Sequence, residues 1–218
     1  MKKKLAKIAA LSMAAVSLVL VTVLVTVAFL TSSSKVENTF TVGDVAITMS
    51  ESPVDANGQK VANSTKNTNG NKYRLIPGKS YCKDPSVFVE GNKEKAYLFV
   101  TISNGISEIE TTEEAYTMVG QMKAKGWKEI TISQEETVYV YAKDAQADDY
   151  ATPVGGVAED QEISVFDTFT LRQNAELTDQ YASAKVTLCA YAIQADTFLN
   201  TEEGVLAAWN AVKGVETP

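Results

Sequence analysis

The N-terminal segment constrains what the rest of the chain can become. Residues 11–30 (LSMAAVSLVLVTVLVTVAFL) carry no charge, and Lys2, Lys3, Lys4 and Lys7 precede them. A basic start, an apolar run and small residues beyond it are typical of an export signal. As a helix, the run would span about 30 Å, so it would also serve as an uncleaved membrane anchor. In either case we expect the remainder to fold outside the cytoplasm.

The end of the apolar run favours cleavage. Signal peptidase requires a short side chain at the last residue of the signal and another two positions earlier, and Ala28 and Thr26 meet this requirement. We therefore predict a signal peptide of residues 1–28, with Phe29 as the first residue of a single mature domain, 29–218. If signal peptidase leaves the segment uncleaved, residues 11–30 are the expected membrane contact.

Charge and composition remove several function classes. The formal net charge of −7 becomes −11 without the four N-terminal lysines. Such a surface repels nucleic acid and anionic lipid headgroups, so we expect no nucleic-acid partner. The chain contains no histidine, which removes the HExxH zinc helix and the Ser-His-Asp triad. Nucleotide and redox motifs are absent from the sequence as well, so we expect neither an enzyme nor a cofactor.

Two cysteines are present, Cys82 and Cys189. In an exported chain, a pair of cysteines favours a disulfide over a metal site. A bridge across this separation would stabilise the fold by up to about 4.7 kcal/mol through the entropy of the unfolded chain. The alternative is two separately buried thiols.

Most of the mature chain reads as β-structure. Apolar and β-branched segments separated by turn residues indicate strands. They lie at residues 36–49, 75–80, 81–89, 96–102, 127–131, 137–142, 163–171 and 184–193. The run 96–102 is apolar enough for a strand buried on both faces. In 137–142, valines alternate with tyrosines, which is typical of a strand between two different environments.

Two helices are expected outside the sheets. Thr111 and Glu114 have the spacing of a capping box, and Gly126 ends the apolar stripe that follows. That stripe consists of Ala115, Met118, Val119 and Met122. A second helix begins at Thr201, and its apolar face consists of Val205, Ala208, Trp209 and Val212. The sequence thus predicts a mainly β jelly roll or β-sandwich of two antiparallel sheets with two short flanking helices.

Two long polar stretches lie between the predicted strands. The first, 50–72, is expected to be a long exposed loop or an irregular hairpin, and the second, 143–161, an exposed loop. The second is acidic enough to offer an alternative function as a calcium site, because carboxylate oxygens are the ligands that calcium prefers. Its candidate ligands are Asp144, Asp148, Asp149, Glu159 and Asp160.

Three stretches together resemble a known family of bacterial surface proteins. They are residues 29–51 (FLTSSSKVENTFTVGDVAITMSE), residues 73–78 (YRLIPG) with Lys83-Asp84-Pro85, and residues 190–196 (AYAIQAD). In this order they resemble the SipW-dependent TasA/camelysin-like family. The resemblance implies a jelly roll of two antiparallel sheets, an extracellular or cell-surface location and a place among biofilm-matrix fibre proteins. Some members have been described as metalloproteases, a role that a chain without histidine fits poorly.

Self-assembly is the function that these observations favour. A terminal strand leaves its own sheet more easily than an internal one, and it can pair with the sheet of a neighbouring copy. The sequence places this donor strand at residues 36–42, with Val36, Thr39, Phe40 and Val42 as its main positions. We therefore expect self-association into filaments, or association with related matrix proteins. The alternatives are a camelysin-like surface protease and a monomeric surface-binding module.

Overall fold

A computed structural model of the chain describes residues 31–35, 38–39, 45–91, 93–131 and 137–215. The predicted signal peptide and its cleavage site, Thr26, Ala28 and Phe29, lie outside these residues. The strands are β1 (Thr31–Lys35), β2 (Asn38–Thr39), β3 (Ile47–Ser50), β4 (Ser80–Cys82), β5 (Ser86–Val89), β6 (Ala96–Asn104), β7 (Trp127–Thr131), β8 (Thr137–Tyr141), β9 (Gln161–Ser164), β10 (Thr168–Thr170) and β11 (Val186–Gln194). The helices are α1 (Met118–Ala124) and α2 (Glu202–Val215).

A six-stranded antiparallel sheet forms the central layer, with strand order β2-β1-β11-β6-β8-β7. Its two longest strands, β6 and β11, pair over their whole length, from Ala96 opposite Gln194 to Asn104 opposite Val186. Every residue from Ala96 to Val100 is buried. The predicted central strand, buried on both faces, is therefore confirmed.

The two faces of this sheet pack against different layers. Leu98 and Val100 of β6 belong to the hydrophobic cluster shared with the small sheets. Tyr97 and Phe99, which alternate with them, belong to the cluster shared with α2. In β8, Tyr139 lies in the first cluster, whereas Val138 and Val140 lie in the second, so the predicted alternation is confirmed.

The opposite layer consists of two small sheets, β3-β5-β9 and β4-β10. They nearly form one sheet, because hydrogen bonds continue across the break between them. The Lys83 N–H donates to the Asp167 carbonyl at 3.0 Å, and the Val165 N–H donates to the Pro85 carbonyl at 2.9 Å. Pro85 has no N–H to offer a ladder, which explains a break at this point. The predicted mainly β sandwich is confirmed, with its second layer divided in two.

The N-cap of helix α1 lies six residues after the predicted one. Thr117, not Thr111, is its N-cap, and the Thr117 hydroxyl accepts a hydrogen bond from the Gly120 N–H at 2.9 Å. The carboxylate of Glu110 accepts from the Met118 N–H at 2.7 Å. This buried carboxylate occupies the helix N-terminus, so Glu114 lies in a 3-10 turn before the helix instead of in a capping box.

The apolar faces of both helices are largely as predicted. Met118 and Met122 of α1 are fully buried, whereas Ala115 is exposed before the helix begins. Gly126 follows the helix with a φ of +93°, a conformation that favours glycine. In α2, the predicted apolar residues are all buried: Val205, Ala208, Trp209 and Val212.

Among the described residues, the helices are all too short or too polar to cross a membrane.

Trp209 should be a major source of stability, because it joins α2 to the central sheet. Its ring is fully buried, and its centroid lies 5.4 Å from that of Phe99 and 5.2 Å from that of Tyr191. We expect Trp209→Ala to lower the free energy of unfolding by about 3–5 kcal/mol, because it removes these contacts and leaves a cavity. Asn210→Ala, on the exposed face of the same helix, should change it by less than about 0.5 kcal/mol. Denaturant unfolding of both variants measures the difference, and equal stabilities would contradict the packing described.

Candidate assembly edge

One side of β11 is completed by the N-terminal strand. β1 pairs antiparallel with β11, with Thr31 opposite Ile193, Ser33 opposite Tyr191 and Lys35 opposite Cys189. The other side of β11 pairs with β6. Without β1, the backbone groups of residues 189–193 on this side would form an open sheet edge, which is a template for another strand. We call these residues of β11 the acceptor edge.

The strand on the acceptor edge is not the predicted donor. Val36, Phe40 and Val42 lie outside the described residues. Thr39 lies in β2, which pairs with β1 at Ser34 and therefore stands one strand away from β11. β1 and β2 both contact β3 as well, so they close the side of the sandwich between β11 and β3.

β1 is not among the predicted strands because its residues, TSSSK, include only one β-branched and no aromatic side chain, the types that indicate strands. The place of this run in the chain was the one feature that could have indicated a strand. The run follows the predicted signal peptide and precedes a long domain whose last strand needs a partner.

Other edges in the described part of the chain are closed by side chains of the domain itself. The Gln121 amide oxygen accepts from the N–H groups of Asp167 and Thr168 at 3.1 Å, and its nitrogen donates to the Thr168 carbonyl at 2.9 Å. This amide takes the place of a neighbouring strand beside β10. At β9, the Trp127 indole donates to the Ser164 carbonyl at 2.9 Å. These groups belong to packed elements, so they leave only when those elements unfold.

The far edge of the central sheet, β7, is protected by charge. Glu129 of β7 lies 3.5 Å from the Lys123 ammonium. The neighbouring Lys128 ammonium lies 3.3 Å from the centroid of the Tyr150 ring. Charged side chains along an edge strand disfavour pairing with another chain. Of these edges, the acceptor edge differs because a separate strand, β1, covers it.

The first predicted loop, 50–72, is held down by a buried ion pair. The Lys83 ammonium lies 2.7 Å from a carboxylate oxygen of Glu51, and their side chains are 7% and 1% exposed. The Asn71 amide donates to the second oxygen of Glu51 at 2.8 Å. Each partner satisfies the charge of the other, so the loop is anchored where its two ends meet β4.

Asp84 makes the second attachment of this loop. Its carboxylate accepts from the N–H and the hydroxyl of Ser52, both at 2.7 Å, and from the Lys60 ammonium at 3.1 Å. Burial alone would raise the pKa of Asp84, but these hydrogen bonds outweigh burial and hold the pKa below its ordinary 3.8. Antiparallel bridges also join Glu51 to Asn67 and Val54 to Lys60, so of the two predicted forms the irregular hairpin is confirmed.

The predicted disulfide is not formed among the described residues: Cys82 and Cys189 are both thiols. Cys82 follows the core residue Tyr81 in β4, so its side chain is on the outer face of the small sheet. Cys189 packs in the cluster between the central sheet and α2. The sandwich core separates the two, which explains why they do not meet. Burial, followed by the Asp84 charge, raises the pKa of the Cys82 thiol.

The acidic residues of the second loop are not gathered into a site. Within the part of the chain that the structure describes, no three side chains of His, Cys, Asp or Glu are grouped to hold a metal ion. Asp160 instead accepts a hydrogen bond from the Gly91 N–H at 2.8 Å. Its carboxylate thus ties the second loop to the turn after β5.

Comparison of the chain with protein-family models, curated proteins and solved structures found no match. The resemblance to the TasA/camelysin-like family therefore stays a prediction from the three sequence stretches.

Lys83 provides a test of the buried ion pair. We expect Lys83→Met to lower the free energy of unfolding by about 3–5 kcal/mol, because it leaves the Glu51 charge buried without its cation. The matched control is Lys60→Met, since Lys60 pairs with Asp84 but its side chain is 56% exposed. That change should cost less than about 1 kcal/mol. If thermal or denaturant unfolding shows equal effects for both, the Glu51–Lys83 pair does not anchor the loop.

Proposed function

We propose that this chain is an exported surface or extracellular-matrix subunit that assembles into filaments. In this proposal, the N-terminal strand of one copy pairs with the acceptor edge of the next. The observation that carries it is the strand pairing of the central sheet. The nine-residue strand β11 has β6 on one side and only the short strand β1 on the other. In this proposal the donor strand is Thr31–Lys35, which pairs with β11, and not residues 36–42 as predicted from the sequence.

The chemistry of β1 suits a strand that is exchanged. Backbone hydrogen bonds supply the affinity in strand addition, and they form with any side chains. The TSSSK sequence offers no large apolar group. Terminal segments also detach more readily than internal ones.

The geometry of exchange allows copies to join in an extended series. A donor strand and an acceptor edge are two different surfaces, so the contact between copies is heterologous. Such a contact continues from copy to copy unless the rotation between them closes a ring. The predicted cleavage after Ala28 makes Thr31 the third residue of the mature chain, which gives the strand a free end.

The proposed extracellular setting is supported by sequence. The export signal and the resemblance to surface proteins both point to it. The charge of −11 after removal of the signal lysines favours solubility during export. Filaments of such subunits would form after the chain has left the cell.

Proline substitutions in β1 test this function. Successive N–H groups of a strand point to opposite sides, so Ser32→Pro with Ser33→Pro removes one N–H that faces β11. We expect this double variant to remain a folded monomer and to form no filaments. The matched control is Ser32→Ala with Ser33→Ala, which keeps every backbone N–H and should assemble like the unchanged chain.

Light scattering and negative-stain images over time and concentration measure the outcome. Filaments from the proline variant would contradict strand pairing through β1. Monomers from the unchanged chain under all conditions would instead favour a monomeric surface-binding module. Casein cleavage that is lost on chelation would favour the protease alternative.

A further inference from the structure

We infer that the docked β1 is a self-cap: each monomer closes its own acceptor edge with its own N-terminal strand. This inference rests on the proposed function, because a cap matters only if the edge receives strands. One side of a strand can pair with one neighbour at a time. Assembly therefore requires β1 to leave its own sheet before, or while, the strand of another copy enters.

The register shows how completely the edge is covered. All five residues of β1 have partners in β11, from Thr31 opposite Ile193 to Lys35 opposite Cys189. β2 then adds beyond β1, but only Asn38 and Thr39 pair there. A strand of two residues is a poor template for a new chain. β1 thus covers five of the nine residues of this β11 edge, and β2 in turn covers Ser34 and Lys35 of the five residues of β1.

The self-cap is also the weakest part of the sheet. Its residues are a threonine, three serines and a lysine, whereas four of the five β6 residues opposite 189–193, Tyr97 to Val100, are buried and apolar. Local opening costs less than global unfolding where few apolar contacts hold a segment. We therefore expect β1 to detach while the β6–β11 pairing stays intact.

Exchange between copies conserves the pairing. A neighbour's β1 would form the same five residue pairs with β11 that the chain's own β1 forms. The balance between monomer and filament then depends on concentration and on the fraction of monomers that are open. The self-cap keeps the chain soluble at low concentration and delays filament growth.

A native cysteine allows the cap to be locked. Lys35 lies directly opposite Cys189, and opposite residues of antiparallel strands have Cβ atoms about 4.5–5.5 Å apart, close to disulfide geometry. The test variant is Lys35→Cys with Cys82→Ser, which leaves Cys189 as the other thiol. The matched control is Asn38→Cys with Cys82→Ser, because Asn38 pairs with Lys35 and not with β11.

The experiment uses the full chain, purified after export and mildly oxidised as a dilute monomer. We expect the K35C/C82S variant to form an intramolecular disulfide, seen by mass and on non-reducing gels, and the N38C/C82S control to form none. The oxidised variant should assemble at less than about 1% of the rate of the reduced variant. Reduction should restore assembly, and the reduced variant should melt at the temperature of the C82S chain.

Two results would overturn the self-cap in distinguishable ways. If the reduced variant assembles but its monomer forms no intramolecular disulfide, and the bond appears only between copies, strand donation stands and the self-cap is wrong. The self-cap is also wrong if the locked monomer assembles as fast as the reduced one. If no form of the chain assembles while the intramolecular bond does form, the proposed function fails and the cap has no role in assembly.

Discussion

The pairing of β6 with β11 is the interaction on which the rest of the structure depends. It runs from Ala96 opposite Gln194 to Asn104 opposite Val186 and joins segments about ninety residues apart in the chain. Side chains of both strands face two hydrophobic clusters, one shared with the small sheets and one shared with α2. A ladder with apolar cover on both faces stays paired until the domain unfolds. It therefore offers the other side of β11 as a fixed platform for a further strand.

The sheet edges are closed in two different ways. Gln121 and Trp127 close the β10 and β9 edges with side-chain hydrogen bonds, and charge protects β7. The buried pair of Glu51 and Lys83 fixes the long loop on the small sheets. These devices belong to the packed domain and keep it from pairing with other chains. β1 covers β11 in the same way, but its residues are all polar, and under the proposed function it leaves this edge without loss of the fold.

The elements that could be predicted from the sequence are those whose apolar residues recur with a regular period. The alternation in β8, the buried run of β6 and the apolar face of α2 are periodic signals, and each was confirmed. One local prediction is wrong, since of the strand expected at 75–80 only Ser80 lies in a strand. The other misses concern partners that are distant in the sequence. The start of α1 depends on the buried carboxylate of Glu110, which accepts from the Met118 N–H, and a local capping box could not reveal it. The thiols of Cys82 and Cys189 lie on opposite sides of the core. The presence of two cysteines in the sequence does not reveal how far apart the fold places them. β1 has no strand signature of its own and becomes a strand because β11 provides a ladder.

Hydrogen exchange of the β11 amides in the exported monomer, which begins at Phe29 if the signal peptide is removed as predicted, tests most directly whether β1 is a locally detachable cover. Successive amides of residues 189–193 face β6 and β1 in turn. We predict that the amides facing β1 exchange through a local opening, with protection well below that of the amides facing β6 but above that of an unpaired chain. Equal protection on both sides would mean that β1 leaves only when the whole domain unfolds. No protection on the β1 side would mean that the strand is not docked in the monomer. Either result would contradict a detachable strand on the acceptor edge.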